Sequence, residues 1–432
     1  MTTLARRTIH TGLALALPAL AACASYDVSV TGPDPHPHTT PVAVSFCSEN
    51  PPQWVAFQDG DGAWTPVLPT VAGQFAVFRH DFASNRGAVA TGRRFASGFT
   101  SLSVQYGALD ELSIAGEPRT DLCVAPELHT LIGTVAGIDT NEVAVVNDGR
   151  STREATTRSE GGDFTLRFVP AGPQELFATR LTDTGNDLVL TGYILRHALE
   201  LPDGATIPVL DFSSAEVIHP VSPILTLTGF GTDGAISRVG FRTAHSDNVV
   251  TFGNASVLAK DRIYYALPAD RLAAGDLQFL SATTNMSNTS NVVRSVTTYF
   301  RAPVDRTMAF PVPPHVPQLS VIATTPSARL RARFDAQAEY DRQTSVHFQQ
   351  GQNVVSVGMT PGYAALNPDG YDLVLPELGA LAGFDARWAL RSGVATIWQI
   401  TRIGGTLGLA PGVVPADGDT RVIGTDGGFI TP

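Results

Sequence analysis

Lysine is nearly missing from this chain of 432 residues: Lys260 stands alone, and the other basic residues are arginines. This pattern reads as a codon preference, and no function is built on it. Net charge is −11, and no cluster of lysine and arginine offsets it. A nucleic-acid partner is therefore not expected, because neutralising phosphates supplies much of that affinity. Long apolar runs are also lacking. The longest, Leu13–Leu20, is far below the ~20 residues that a membrane-crossing helix needs. Cysteine occurs three times, as Cys23, Cys47 and Cys123, which leaves no room for a disulfide-dense scaffold or a four-cysteine metal site. Convincing helical periodicity is scarce throughout.

Short apolar runs cut by Gly, Pro, Asp and Asn are abundant. With 43% hydrophobic residues, 40 glycines and 30 prolines spread along the chain, the composition reads as folded, turn-rich and β. The expected fold class is all-β, with several tandem β-sandwich domains after a signal peptide and a flexible tether.

The N-terminus carries the clearest signal. Arg6 and Arg7 precede the apolar stretch, and small residues Ala21 and Ala22 follow it. That is the layout of an export signal over 1–22. Leu20-Ala21-Ala22-Cys23 resembles the lipobox of bacterial lipoproteins. The resemblance implies cleavage before Cys23 and a diacylglycerol on its sulfur. With Ala24 next, it implies an outer-membrane destination in the cell envelope. An ordinary secretory signal with an incidental Cys23 and a twin-arginine signal are the competing readings. One acyl chain holds a protein only marginally and two or more hold it stably, so a lipidated Cys23 would leave the polypeptide no need of an apolar attachment surface. Residues 23–41, rich in proline, read as a lipid-anchored linker. His36 and His38 within it lack the acidic or thiol neighbours of a metal site.

Assigning Cys23 to lipid leaves Cys47 and Cys123 as a pair. In an exported chain such a pair reads as a disulfide, with a loop-entropy contribution of roughly 4 kcal/mol. A two-cysteine metal site would lack further ligands. The bridge would tie together a β domain at 42–126. Within that domain, Trp54–Phe57, the turn Gln58-Asp-Gly-Asp-Gly62 and Ala63–Thr65 read as a hairpin. Trp54 and Trp64 are expected as cross-strand neighbours. Asp59 and Asp61 begin a calcium-loop pattern that fails further on for want of a Glu.

A second domain is expected at 127–210. Leu131-Ile-Gly-Thr-Val135 and Glu142–Val146 read as strands. Gly162-Asp-Phe-Thr-Leu-Arg-Phe-Val-Pro-Ala-Gly172 places Phe164, Leu166 and Phe168 at period two, on one face. The stretch resembles the carboxypeptidase regulatory-like domains, which implies a transthyretin-like β-sandwich. Domains of that family are generally non-catalytic modules. Two further β domains are expected at 211–315 and 316–432, either separate or as one unit, with a boundary near 312–317. A short helix is expected at Ala269–Ala274. Strands are expected where Leu330–Tyr340 alternates, and at Tyr371–Leu375, Ala386–Leu390 and Ala395–Thr401.

The catalytic motifs found are incomplete. Ser246-Asp247-Asn248 lacks the companion lysine motifs of penicillin-recognising enzymes. His197-Ala-Leu-Glu200 has the H-x-x-E spacing without a second histidine to complete a zinc site. No cofactor or metal is expected. The leading expectation is a non-catalytic, lipid-anchored envelope protein whose sandwich modules bind or scaffold. Its partners would be the membrane through the anchor, and an envelope protein or a polysaccharide. One alternative is a carbohydrate-binding accessory lipoprotein using Trp54, Trp64, Trp388 and Trp398 as stacking platforms. The other is a hydrolase with an unrecognised site in 211–432.

Overall fold

A computed structural model describes residues 25–27, 40–47, 52–67, 70–72, 75–112, 127–148, 154–157, 162–184, 188–200, 202–230, 234–243, 249–257, 261–284, 291–367, 369–408 and 413–432. The protein is all-β. Its largest element is a 12-stranded sheet, and every neighbouring pair in it but one is antiparallel. The exception is Thr100–Ala108 against Asn353–Met359, where the early part of the chain meets the late part. Distant segments need no hairpin to join them, so a parallel register is available there.

The sheet collects strands from three of the stretches distinguished by sequence. Trp54–Asp59, Thr65–Val67, Arg86–Arg94 and Thr100–Ala108 come from 42–126. Ala235–Arg242, Val249–Val257, Leu277–Thr284 and Val293–Phe300 come from 211–315. Gln343–Gln350, Asn353–Met359, Thr396–Gly404 and Thr420–Ile430 come from 316–432. The joint between the last two is the pairing of Val293–Phe300 with Thr420–Ile430.

Two smaller sheets cover this one. Gln318–Ala323, Arg329–Phe334 and Tyr371–Val374 form a three-stranded layer. Its Leu330, Ala332 and Leu373 meet Leu102, Val104, Val346, Phe348, Val355 and Val357 in a single core. Alternation at period two explains the arrangement, since every second side chain of each strand enters the core. Ile224–Thr228, Asp261–Ile263 and Arg306–Ala309 form the other layer, and Leu225, Leu227 and Met308 pack on Val239, Phe241, Leu280 and Phe300.

Residues 127–210 build their own sandwich. Gly162–Pro170 and Leu128–Ala136, with Leu210–Asp211, face the sheet of Glu154–Thr157, Glu142–Asn147, Pro173–Asp183 and Leu188–Glu200. Leu131, Val135, Phe164 and Leu166 pack on Val146, Leu176, Ala178 and Ile194 between them. Phe177 and Tyr193 turn the other way and join the neighbouring core, so this module is fused to residues 211–315.

The junction near 312–317 is a strap pinned to the fold by side-chain donors, with Pro311, Pro314 and Pro317 buried and Val312 and Val316 exposed. Arg294 donates to Pro311 O (3.0 Å), Tyr340 Oη to Val312 O (2.6 Å) and Gln337 Nε2 to Pro313 O (3.2 Å). Four prolines over 311–317 lack the backbone N–H that a strand ladder needs, and the carbonyls of this segment accept from side chains.

Several local expectations are corrected. The alternation from Leu330 ends as strand at Phe334; the chain then turns, with Tyr340 N donating to Gln337 O, and Tyr340 is buried from the turn. Ala386–Leu390 is no strand: Ala386–Trp388 is a 3-10 turn, capped by the Asp385 carboxylate accepting from Arg387 N. Ala269–Ala274 reduces to the 3-10 turn Ala269–Arg271. Trp54 lies opposite Gly92 across the strand pair, while Trp64 packs edge-on to Tyr106 with centroids 6.4 Å apart, so the two tryptophans are not cross-strand neighbours. Phe168 leaves the face shared by Phe164 and Leu166. A β-bulge between Arg167 and Val169 inserts it as an extra residue at φ 62°, and Val169 takes the buried position.

Candidate functional site

The described residues hold two histidine-centred clusters outside the reach of sequence motifs. In the first, His197 Nδ1 lies 2.7 Å from Glu175 Oε2, and Nε2 lies 3.8 Å from Asp276 Oδ2. Cross-strand pairing of Pro173–Asp183 with Leu188–Glu200 delivers Glu175 to His197. Asp276, at the head of Leu277–Thr284, is withdrawn from solvent, as is Glu175. His197 thus meets Glu175 in place of the Glu200 that its sequence spacing singles out. Among the described residues no serine, threonine or cysteine bonds to His197. The cluster clasps the 127–210 module to the neighbouring sheet.

In the second cluster, His347 Nδ1 lies 2.7 Å from Ser356 Oγ and Nε2 3.4 Å from Ser345 Oγ. These residues share one face of the 12-stranded sheet, since His347 pairs with Ser356 across the strands. Burial pushes the imidazole below its ordinary titration range, which favours the neutral ring. Among the described residues no carboxylate orients it. A Ser–His–Asp relay needs hydroxyl, imidazole and carboxylate in one chain of hydrogen bonds. Here the hydroxyls sit with one histidine and the carboxylates with the other. Among the described residues no group of three or more His, Cys, Asp and Glu could hold a metal ion, and no helix is long and apolar enough to cross a membrane.

The tryptophans are core residues. Trp54 and Trp388 are buried with centroids 6.0 Å apart, and Phe384 closes edge-on against both. Trp398 is buried against the same core, and Trp64 packs at its margin. Stacking on a sugar needs an open ring face, so Trp54, Trp388 and Trp398 are corrected from platforms to packing. A cleft lined by Leu102, Ala328, Leu375, Leu378, Phe384 and Leu390 beside them leaves room for about one water molecule. Cys23 and Cys123 lie outside the described residues, as do the linker histidines His36 and His38, the triplet Ser246-Asp247-Asn248, and Lys260. Cys47 is described only as the end of the strand Thr40–Cys47.

What the structure does present is an apolar face on the 127–210 sandwich. Phe168 is 62% exposed, and Leu128 and Ile132 are exposed on the adjoining strand. The register places Leu128, Thr130 and Ile132 beside Pro170, Arg167 and Thr165. Exposed Thr165, Arg167 and Asp163 supply a polar border, with Thr134 Oγ1 donating to Asp163 Oδ1 at 2.9 Å. A positive φ is costly for a bulky residue, of order 1–3 kcal/mol. The bulge thus turns an aromatic side chain out of a core that Phe164 and Leu166 fill. Period-two counting misses this, because a one-residue insertion reverses the faces beyond it. The adjacent pair Leu131-Ile132 was the available signal, since one of two neighbouring apolar strand residues must point outward.

No family model matches the chain, and no curated protein matches it.

Proposed function

We propose that this is a non-catalytic, lipid-anchored protein of the bacterial cell envelope, held at Cys23 in the outer membrane, whose 127–210 sandwich is a binding module for an envelope protein. The reading joins the lipobox-like Leu20–Cys23 to the carboxypeptidase regulatory-like pattern of residues 131–172. The observation that carries it is Phe168, set outward at φ 62° beside exposed Leu128 and Ile132. An apolar centre with a polar border is the usual build of a protein-binding patch. Aliphatic neighbours and the burial of three tryptophans favour a protein over a polysaccharide.

Phe168→Gly tests the module. Glycine accepts the left-handed backbone, so the variant keeps or gains stability while the aromatic disappears. Cross-linking on intact cells should trap an envelope protein with the wild type and lose it with Phe168→Gly. Equal capture by both overturns the role of this face. The anchor has its own test. Metabolic labelling with a lipid analogue should tag the wild type and leave Cys23→Ala unlabelled; an unlabelled wild type removes the membrane attachment.

A further inference from the structure

The strand Gln318–Ala323 is the last in its sheet and pairs only with Arg329–Phe334. Among the described residues nothing hydrogen-bonds its outer side. Gln318, Ser320, Val321 and Ile322 are exposed, Val321 at 39% and Ile322 at 40%. Val321 pairs with fully buried Leu330, so it faces the core, yet it stays open because the layer stops there. From Val316 to Pro326 no residue is charged. Three other edges carry the customary blocks: Thr65–Val67 has Pro66, Asp261–Ile263 has Asp261 and Arg262, and Tyr371–Val374 has Asp372. On the inner neighbour, Arg331 and Arg333 are matched by Asp369 and Asp372, and Arg329 by Glu377, so the layer carries little unbalanced charge toward the edge.

We infer that this edge pairs with the same edge of a second copy, antiparallel about a twofold axis, making a continuous six-stranded layer. An extended strand is the protein partner that pairs with a whole row of edge N–H and C=O groups at once. The edge offers no charge and no pocket to select a foreign strand. It does fit itself: with Ser320 on the axis, Leu319 meets Val321 of the second copy on the core side, and Gln318 meets Ile322 on the outer side. Apolar then covers apolar, and the open flank of Val321 closes. Pro317 and Pro326 bound the segment, and the bulge at Ile322 limits further pairing. An isologous contact uses both edges at once, so it closes as a dimer and does not grow into a fibre. One short strand pair is a small interface, so the dimer is weak and concentration-dependent.

Sedimentation velocity on the full chain carrying Cys23→Ala, free of lipid, provides the test. The sedimentation coefficient should rise with concentration from monomer to dimer. Ser320→Lys alters only an exposed side chain; with an unchanged circular dichroism spectrum, it should weaken dimerisation at least tenfold. Ser320→Cys should form a covalent dimer under mild oxidation beyond any seen for the parent chain. A chain that stays monomeric at all concentrations without that cross-link overturns the inference. So does Ser320→Lys dimerising like the parent.

Discussion

Trp54 and Trp388 hold the two ends of the folded chain together: Trp54 Nε1 donates to Ala382 O (3.1 Å) and Trp388 Nε1 to Arg93 O (2.9 Å), with the rings 6.0 Å apart. Each indole reaches across into the other's segment. The strands of 54–108 therefore complete a core whose remaining walls come from 328–400.

That exchange predicts that residues 42–126 expressed alone do not fold, since Trp54, Leu102 and Val104 lose their covering layer. Trp388→Ala in the full chain should cost about 3–5 kcal/mol in urea denaturation, from lost burial and a cavity. Gly92→Ala should also destabilise, because a Cβ there would lie 2.7 Å from the Trp388 ring. A cooperatively folding 42–126 fragment would refute the shared core.

Arg402 is fully buried among Phe334, Tyr340 and Tyr371, with its guanidinium 5.5–5.8 Å from the three ring centres. It donates to Gln337 Oε1 and to Asp335 O, and burial pushes its pKa below the ordinary arginine value. Arg402→Ala should cost about 3 kcal/mol or more, leaving a cavity and taking one donor each from Asp335 O and from Gln337 Oε1, which keeps His315 N as a partner. Arg402→Met, closer in volume, should lose less, because a buried cation is expensive to desolvate. Chemical denaturation that ranks the two variants the other way would show that the charge stabilises the core more than the packing does.

Phe168→Gly should raise stability by about 1 kcal/mol, since the strain at φ 62° disappears and an exposed ring is lost. Phe168→Val should lower it, because a β-branched residue tolerates that backbone worse. Thermal melts of both variants decide the matter; a destabilised glycine variant would mean that the ring packs against its own module.

His347 predicts a pH dependence. Its folded pKa lies below the unfolded value near 6.5, and the cause is burial. As pH falls through that unfolded value, the unfolded chain takes up a proton that the folded chain refuses. Folding stability therefore decreases on acidification, by up to ~1.4 kcal/mol per pH unit, until the folded pKa is reached. His347→Gln should flatten this part of the profile between pH 7 and the acid limb. Parallel curves for variant and wild type, measured by denaturation at each pH, would remove His347 as the origin.

Much of the strand plan was legible in the residues. Glu142–Asn147 starts where expected, and Tyr371–Val374 and Thr396–Gly404 overlap the strands expected at Tyr371–Leu375 and Ala395–Thr401. Period-two alternation and Gly-rich turns are local, so a sequence displays them. The histidine clusters were not legible, because Glu175, His197 and Asp276 meet through strand pairing, and no spacing rule encodes it.

By itself the sequence determined an all-β chain, the position of most strands and turns, and the lipobox-like segment that gives Cys23 its proposed role. Only tertiary structure decided which strands share a sheet, because hydrogen-bonded pairing between Thr100–Ala108 and Asn353–Met359 depends on distant segments covering one another's apolar faces. It decided that Trp54, Trp388 and Trp398 fill a core, and that a single bulge sends Phe168 outward. Hydrophobicity names the residues that want cover. Close packing of the whole chain determines which of them receive it.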